Sequence, residues 1–460
     1  MIRAIVAPAA VLLPATARAH GFIERYDLPV PLGYFVAGAA AAVALTLLVA
    51  VLFARRAPGA GQGVPVALGS MPPWLKHLCR AVSVGLFGLT VAAALWGTAD
   101  PLMNLAPTFV LIVWWVGLGL VVACIGNIWP ALDPWRALFE SMDAAARQLG
   151  RPAGLAFGWR WPPALGMWPA VALLLVWCGL EVVYPIATVP YRLGCMALAW
   201  TVVTLCGMAC FGRETWQENA DVFAIYFAML GRAAPFSLWR GMTAPTPAGE
   251  AGFVLAMLST VLFDSLHSGQ AWLLIENGLA RLVAQVMDTN GYFAGAIGLV
   301  AVWLAFFGAY KFTCLVTARL ARGSTSSKVA AMFAPTLVPI AVAYNIAHNF
   351  SLLVTQAPNA IPLLSDPLGR RWNLFGTAGM YLDVGELDAK ATWTIAITAI
   401  VIGHAIAVWL GHRVALREFG APREAAIASF PLTALMVGYT AVSLLLIVEP
   451  MVVFEPPALR

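Results

Sequence analysis

The sequence predicts an all-α fold, a polytopic transmembrane helical bundle of about ten spans. Hydrophobic residues make up 61% of the 460 residues and charged residues only 11%, whereas soluble domains carry about 25% charged residues. So much apolar surface cannot be buried in one water-facing fold and needs lipid as part of its solvent. Apolar stretches long enough to cross a bilayer as helices lie near 31–53, 80–98, 107–128, 163–184, 193–211, 251–275, 292–316, 329–355, 391–411 and 427–448.

The connecting segments carry an alternating charge pattern, which predicts how these spans are oriented. Arg and Lys are concentrated after the first, third, fifth, seventh and ninth spans, which we call the Arg-rich side. The positive-inside rule places this side in the cytoplasm, and an even number of spans then leaves both ends of the mature chain outside. The residues that define the Arg-rich side are Arg55, Arg56, Lys76, Arg80, Arg136, Arg147, Arg151, Arg160, Arg213, Arg232, Arg240, Arg319, Arg322, Lys328, Arg413, Arg417 and Arg423.

Residues 1–19 have the pattern of a signal peptide. Arg3 precedes a short apolar run, and Ala17-Arg18-Ala19 matches the small-residue pattern that signal peptidase prefers. The rest of the chain is expected to form a single integral membrane domain. Its boundaries and main loops are 20–460 for the domain, 127–162 and 212–250 for cytoplasmic loops, and 356–390 for a periplasmic loop.

Cleavage after Ala19 would make His20 the first residue of the mature chain. An N-terminal histidine offers its α-amine and an imidazole nitrogen together, a chelating pair that suits copper. The alternative is that His20 is an ordinary residue beside the cleavage site, or that cleavage does not occur.

Several classes of function lack the residues they need. The net charge is only +5 and the chain has no long basic block, which argues against a nucleic-acid partner. The sequence contains no Walker A motif for ATP hydrolysis. It also lacks a GxSxG nucleophile elbow, so a serine-esterase route has no support from the sequence. The seven cysteines include no CxxC pair, so they predict no disulfide framework.

Ionisable groups within the predicted spans are the strongest functional signal. Each costs about 2.5–3.5 kcal/mol near a helix centre, so such a residue usually faces protein or water and has a partner. Asp264 and His267 share one helix face in the sixth span, as do Tyr344, Asn345 and His348 in the eighth. His404 lies near the middle of the ninth span, and Glu181 lies near the outer end of the fourth.

Three interpretations of these polar residues remain open. They could be hydrogen-bonding residues that hold the bundle together, or an ion or proton relay in a transporter. They could also form a transition-metal site, with His267, His348 and His404 as ligands and Asp264 as a ligand or as the residue that orients one. Imidazole and carboxylate suit zinc, manganese, iron or copper, and a metal with an open position would activate water.

Four local features give expectations about the helices. Asp264, His267 and Gly269 predict a kink or break in the sixth span, and Pro335 and Pro339 predict a loosened eighth span. Residues 214–231 have the composition of a helix at the cytoplasmic surface. His77 and His412 are expected to be solvated at the membrane interface.

The segment His20-Gly-Phe-Ile-Glu-Arg-Tyr-Asp-Leu-Pro-Val-Pro-Leu-Gly33 resembles a family of bacterial polytopic membrane proteins commonly labelled fenitrothion hydrolase. Similar residues occur in the Asn127-Ile-Trp-Pro and Asp133-Pro-Trp loop, in Leu262-Phe-Asp264 and in Tyr344-Asn-Ile-Ala-His348, so the resemblance runs through most of the chain. It implies a multi-pass protein of the bacterial inner membrane that hydrolyses an apolar organophosphorus triester and releases a phenol.

The resemblance assigns no catalytic residues, so the intramembrane residues Asp264, Tyr344 and Asn345 are our candidates for catalysis. Tyr344 or a metal would stabilise the charge that develops during attack on phosphorus. Two other functions use the same residues. One is a secondary transporter or metal and ion permease, and the other is a non-catalytic membrane subunit or assembly factor. An oligomeric state or a partner subunit is not predicted by the sequence.

Overall fold

A computed structural model describes most of the chain, and every regular element in the described part is a helix. The all-α prediction is therefore confirmed for these residues. The proposed signal peptide and His20 lie outside them. The described residues are 32–53, 71–184, 189–235, 247–283, 291–321, 324–380 and 389–448.

Seventeen helices make up this part of the chain. Helix α3 contains a π-helical segment, Thr108–Gly117, and α6 ends in another, Gly179–Val183. The bounds are α1 Leu32–Phe53, α2 Pro73–Trp96, α3 Leu105–Ile125, α4 Trp129–Leu132, α5 Pro134–Gln148, α6 Trp168–Val183, α7 Pro190–Phe211, α8 Arg213–Asn219, α9 Val222–Arg232, α10 Glu250–His267, α11 Gln270–Val283, α12 Tyr292–Leu320, α13 Ser326–Phe333, α14 Val338–Gln356, α15 Ala360–Ser365, α16 Ala389–Phe419 and α17 Pro422–Val448.

Eight segments of the described chain are long and apolar enough to cross a membrane, which makes this a multi-pass membrane protein. They comprise α2, α3, α7, α10, α12, the series α13–α15, α16 and α17. The other two predicted spans correspond to the shorter apolar segments Val36–Leu52 and Trp168–Val183. A total of ten spans, and both ends of the chain outside, stay predictions.

Helix α10 and the series α13–α15 form the centre of the bundle. Buried residues account for 72% and 78% of their most apolar windows, against 17–44% in the other six candidate spans. Because most of their side chains contact protein rather than the surroundings, these helices can carry polar residues at membrane depth without exposing them to lipid.

Both central helices are interrupted where the sequence predicts it. Helix α10 ends at His267, and α11 begins three residues later, after Gly269. Pro335 lies within a 3-10 turn, Ala334–Leu337, and Pro339 lies in the first turn of α14, which follows it. Proline has no backbone N–H and cannot continue the α-helical ladder, which accounts for this change of geometry.

Two surface predictions are wrong. Helix α9, which lies within 214–231, is a core element, because Phe223 and Phe227 are at most 1% exposed and its apolar residues occur on every face. His412 is also buried, and its Nδ1 lies 3.2 Å from the Ser429 hydroxyl oxygen. His77 is exposed, as expected.

Close packing of α16 on α14 requires glycine at position 403. A Cβ atom there would lie 2.3 Å from the Cβ of Ala343 and 2.9 Å from the carbonyl oxygen of Pro339. The absence of a side chain therefore lets the two backbones approach each other. This contact fixes the position of the next residue, His404, beside the central helix.

Asn104 links the end of α2 to the start of α3, and we expect Asn104→Ala to destabilise the protein. Its amide donates to the carbonyl oxygens of Ala93 and Thr98 at 2.8 and 2.7 Å, and its Oδ1 accepts from the N–H of Ala106 at 2.9 Å. Losing these buried hydrogen bonds costs about 2–3 kcal/mol. Denaturant unfolding in detergent micelles measures this, with the exposed Asp100→Ala as a control that should change little. Equal stability of the two variants would contradict the linking role of Asn104.

Candidate functional site

Asp264 of α10 and His348 of α14 form a hydrogen-bonded pair at the centre of the bundle. The Asp264 Oδ2 atom lies 2.7 Å from Nε2 of His348, and the two side chains are 16% and 12% exposed. A carboxylate that accepts a hydrogen bond from Nε2–H sets the imidazole tautomer and leaves Nδ1 as an acceptor. The structure thus brings together two of the residues that the sequence singles out.

Ser265 approaches the other side of the same imidazole ring. Its Oγ atom lies 3.3 Å from Nδ1 of His348 and 3.4 Å from the carbonyl oxygen of Val261. His348 therefore lies between a carboxylate and a hydroxyl. This is the arrangement of a general base that is oriented by an acid and positioned to take a proton from an alcohol.

Sequence reasoning missed Ser265. Consecutive helical residues point about 100° apart, so a search for side chains on the face of Asp264 and His267 passes over the serine between them. The only signal was its position in the run Asp264-Ser-Leu-His267. His348 can contact both neighbours because its two ring nitrogens lie on different edges.

Tyr344 and Asn345 lie one turn before His348 and face different neighbours. The Tyr344 hydroxyl lies near Ser265 and 3.5 Å from the carbonyl oxygen of Ser443. The Asn345 amide donates to the hydroxyl of Tyr226 on α9 at 3.3 Å. Tyr344 is therefore close enough to act on a group bound at Ser265, whereas Asn345 connects α14 to α9.

His267 lies one turn after Asp264 on the same helix, α10. Its ring packs 5.4 Å from the ring of Phe263 and 5.3 Å from that of Trp272, measured between centroids. Glu181 lies on the π-helical end of α6 and interacts electrostatically with Cys178 and Tyr226. These two residues lie near Asp264 and His348, but the contacts described above do not join them to that hydrogen-bonded pair.

His404 lies on the other side of two tyrosine rings. It is fully buried, and its Nδ1 lies 2.8 Å from the carbonyl oxygen of Ile400. Within the described part of the chain its Nε2 has no hydrogen-bond partner. Its ring centroid is 5.8 Å from that of Tyr439, which is 6.1 Å from that of Tyr344.

The three predicted histidine ligands are not assembled around one point. His348 uses both ring nitrogens for Asp264 and Ser265, His267 packs against aromatic rings, and His404 lies beyond Tyr439. Across the residues that the structure describes, no group of three or more His, Cys, Asp or Glu side chains is placed to hold a metal ion. The donor arrangement does not fit the three-histidine site, and a bound metal stays a prediction from the sequence.

Irregular helices surround the central pair. The π-helical segment of α3 packs against α14, and the π-helical end of α6 packs against α12. A π-helical turn offsets the backbone by one residue and is frequent at functional sites. Together with the break after His267, these segments give the part of the bundle around Asp264 a backbone that departs from regular α-helix.

A double-mutant cycle measures how strongly Asp264 and His348 interact. We expect His348→Leu alone to cost about 3–5 kcal/mol, because it leaves a buried carboxylate without its partner, whereas the Asp264→Leu/His348→Leu double variant should regain most of this loss. The matched control combines Asp264→Leu with His404→Leu, which should be additive within about 0.5 kcal/mol. Unfolding free energies measured in mixed micelles give the coupling free energy of each pair. Additive costs for the Asp264 and His348 substitutions would show that these two residues do not act as a unit.

The residues around Asp264 could not be assigned from relatives. Comparisons of the chain with protein-family models, with curated proteins and with solved structures find no match. What the helices establish is the class, an all-helical multi-pass membrane protein, with a hydrogen-bonded Ser265, His348 and Asp264 at its centre.

Proposed function

We propose that this chain is an integral membrane hydrolase that cleaves apolar organophosphorus triesters, with Ser265 as the nucleophile. The observation that carries the proposal is the position of His348, with Nδ1 3.3 Å from the serine hydroxyl and Nε2 2.7 Å from the Asp264 carboxylate. A nucleophile, a base and a group that orients the base are the parts that nucleophilic catalysis requires. The resemblance to the fenitrothion hydrolase family supplies the substrate class.

Each residue would have a defined role in the reaction. His348 Nδ1 takes the Ser265 proton while Oγ bonds to phosphorus, and the bond from phosphorus to the aryl oxygen breaks. The imidazolium, stabilised by Asp264, then gives its proton to the departing phenolate. Water that His348 deprotonates attacks phosphorus next, and the phosphorus–serine bond breaks to regenerate the hydroxyl.

Tyr344 is placed to support the attack on phosphorus. Backbone N–H groups inside α10 are used by the helix itself, so they cannot form an oxyanion hole as they do at a strand-to-helix turn. The Tyr344 hydroxyl, which lies near Ser265, can instead donate to the phosphoryl sulfur or oxygen as it gains charge. Asn345 positions this part of α14 through its hydrogen bond to Tyr226.

The location of the site fits an apolar substrate. A phosphotriester with an aryl group partitions into the hydrocarbon of a bilayer. Asp264 and His348 lie within the bundle but keep 16% and 12% of their side chains exposed, so small groups can reach them. A buried site also excludes most water, which strengthens the electrostatic effect of the Asp264 carboxylate on His348.

Proton-linked transport is the second candidate, and one observation favours it. Beyond Ser265, the Tyr344 hydroxyl lies 3.5 Å from the carbonyl oxygen of Ser443. The partly buried ring of Tyr439 lies between those of Tyr344 and the buried His404. Ionisable and hydroxyl groups in such a series are typical of proton relays in membrane proteins. This candidate expects movement of a solute or proton across the bilayer with no change in its chemistry.

We expect the purified protein in lipid nanodiscs to release nitrophenol from fenitrothion. Ser265→Ala, His348→Gln and Asp264→Asn should each lower kcat by about 100-fold or more, whereas His404→Gln should keep most of the activity. A fluorophosphonate probe should modify the peptide that contains Ser265 in the parent and in His404→Gln, but not in Ser265→Ala.

Two other outcomes would redirect the assignment. Turnover that survives in Ser265→Ala but is lost on metal removal, with stoichiometric metal by elemental analysis, would replace the serine route by the metal-assisted one. Absence of both turnover and labelling in a folded parent would exclude the hydrolase, and flux in proteoliposomes would then decide between transport and a non-catalytic subunit.

A further inference from the structure

Two buried carboxylates lie near the Arg-rich side, away from Asp264 and His348. Asp133 begins α5 and Asp221 begins α9, and their side chains cap these helices. Oδ1 of Asp133 accepts the N–H of Arg136 at 3.0 Å, and Oδ1 of Asp221 accepts those of Phe223 and Ala224 at 3.1 Å. The two residues are 1% and 3% exposed, so their charges are largely removed from water.

The two helix starts face each other. Trp135 and Phe223 each follow a capping aspartate by two residues, and their rings stack with centroids 5.5 Å apart and an interplanar angle of 13°. The second oxygen of Asp133 accepts from the Gln217 amide at 2.6 Å. The second oxygen of Asp221 has no hydrogen-bond partner within the described residues, which leaves a buried acceptor without a donor.

The nearby cations are committed to another carboxylate. Arg136 on α5, Arg213 on α8 and Arg80 on α2 all bind Glu140. Arg213 also binds Glu214, and Glu218 on α8 is exposed.

Among the residues that the structure describes, the remaining neighbours of the two aspartates bring no free cation. Arg232, at the far end of α9, pairs with Glu250. The surfaces that α3, α4, α6 and α7 place against Phe223 and Phe227 consist of the indole rings of Trp114, Trp129, Trp177 and Trp200.

Two ionised carboxylates are therefore unfavourable in this position. Burial, together with the neighbouring Asp221, raises the pKa of Asp133 to about 8 against the opposing effect of Arg136. Burial also raises the pKa of Asp221, to about 6, although the N–H groups of Ala224 and Phe223 favour its charged form. Because the two groups interact, these values describe the pair rather than either residue alone.

We propose that Asp133 and Asp221 form a proton-binding site that holds one shared proton at neutral pH. A proton on either aspartate removes one of the two buried charges, which repel each other. One negative charge then remains, and three backbone N–H groups and the Gln217 amide stabilise it. The site is separate from Ser265 and does not depend on the proposed hydrolase activity.

Helix α9 connects this site to the centre of the bundle. Tyr226 lies five residues after Asp221, about 7.5 Å along the helix, and its hydroxyl binds the Asn345 amide. Loss of the shared proton places a second charge at the start of α9 among aromatic rings. The same helix therefore carries both the proposed proton site and the hydroxyl that holds Asn345.

Infrared difference spectroscopy between pH 6 and pH 10 detects the proton directly. The parent should show a carboxylic acid C=O band at neutral pH that disappears at alkaline pH, and Asp133→Asn/Asp221→Asn should lack this band. Asparagine also caps helices well, so the variant is expected to fold. An identical acid band in the parent and the double variant would overturn the proposal. A parent whose spectrum shows no carboxylic acid band that disappears between pH 6 and pH 10 would overturn it as well.

Stability against pH gives an independent measurement. The folded protein binds this proton more tightly than the unfolded chain, so the free energy of unfolding should fall as the pH rises from about 4 to about 8. In the double variant the free energy of unfolding should fall less steeply over this pH range, whereas the exposed control Asp100→Asn should keep the slope of the parent. Equal slopes in the parent and the double variant would contradict a shared proton. Neither measurement uses a substrate, so a protein without hydrolase activity can still pass both.

Discussion

The hydrogen bond between Asp264 and His348 is the constraint around which the rest of the bundle is arranged. A carboxylate and an imidazole can lie at membrane depth only if protein surrounds them and each is the partner of the other. The two helices that carry them are the most buried of the candidate spans. The outer helices contribute the apolar surface, and the two central helices contribute the polar contacts. The polar residues therefore lie where the helices are most buried.

The irregularities of the chain concentrate around this centre. The 3-10 turn before α14, the break after His267 and the π-helical segments of α3 and α6 all interrupt regular backbone in helices that pack against one another or end near Asp264. Irregular backbone inside a membrane is tolerated where it is enclosed by protein. A bundle of uninterrupted helices would have been simpler to build from this composition, which indicates that the central region is shaped for something besides stability.

Sequence reasoning reached the helices and part of the site, for identifiable physical reasons. Long apolar stretches predicted the all-α bundle, and the cost of burying charge singled out Asp264, His348 and His404 before any contact was known. It could not show that Asp264 forms a hydrogen bond with His348 rather than with another histidine, because this depends on how α10 packs against α14. Ser265 was missed because burying a serine in an apolar helix costs little free energy. Helix α9 was predicted at the surface because acidic residues precede it, although its aromatic residues pack in the core.

The placement of Asp264 and Ser265 on consecutive positions of one helix has a mechanical consequence. Both side chains approach the same ring on α14, so any rotation or sliding of α10 relative to α14 changes the two distances together. The alignment of base, hydroxyl and carboxylate is then governed by a single relative motion of two helices. Since the thickness and lateral pressure of the surrounding bilayer act on how helices tilt and slide, the lipid itself becomes a physical variable that tunes the geometry of the centre.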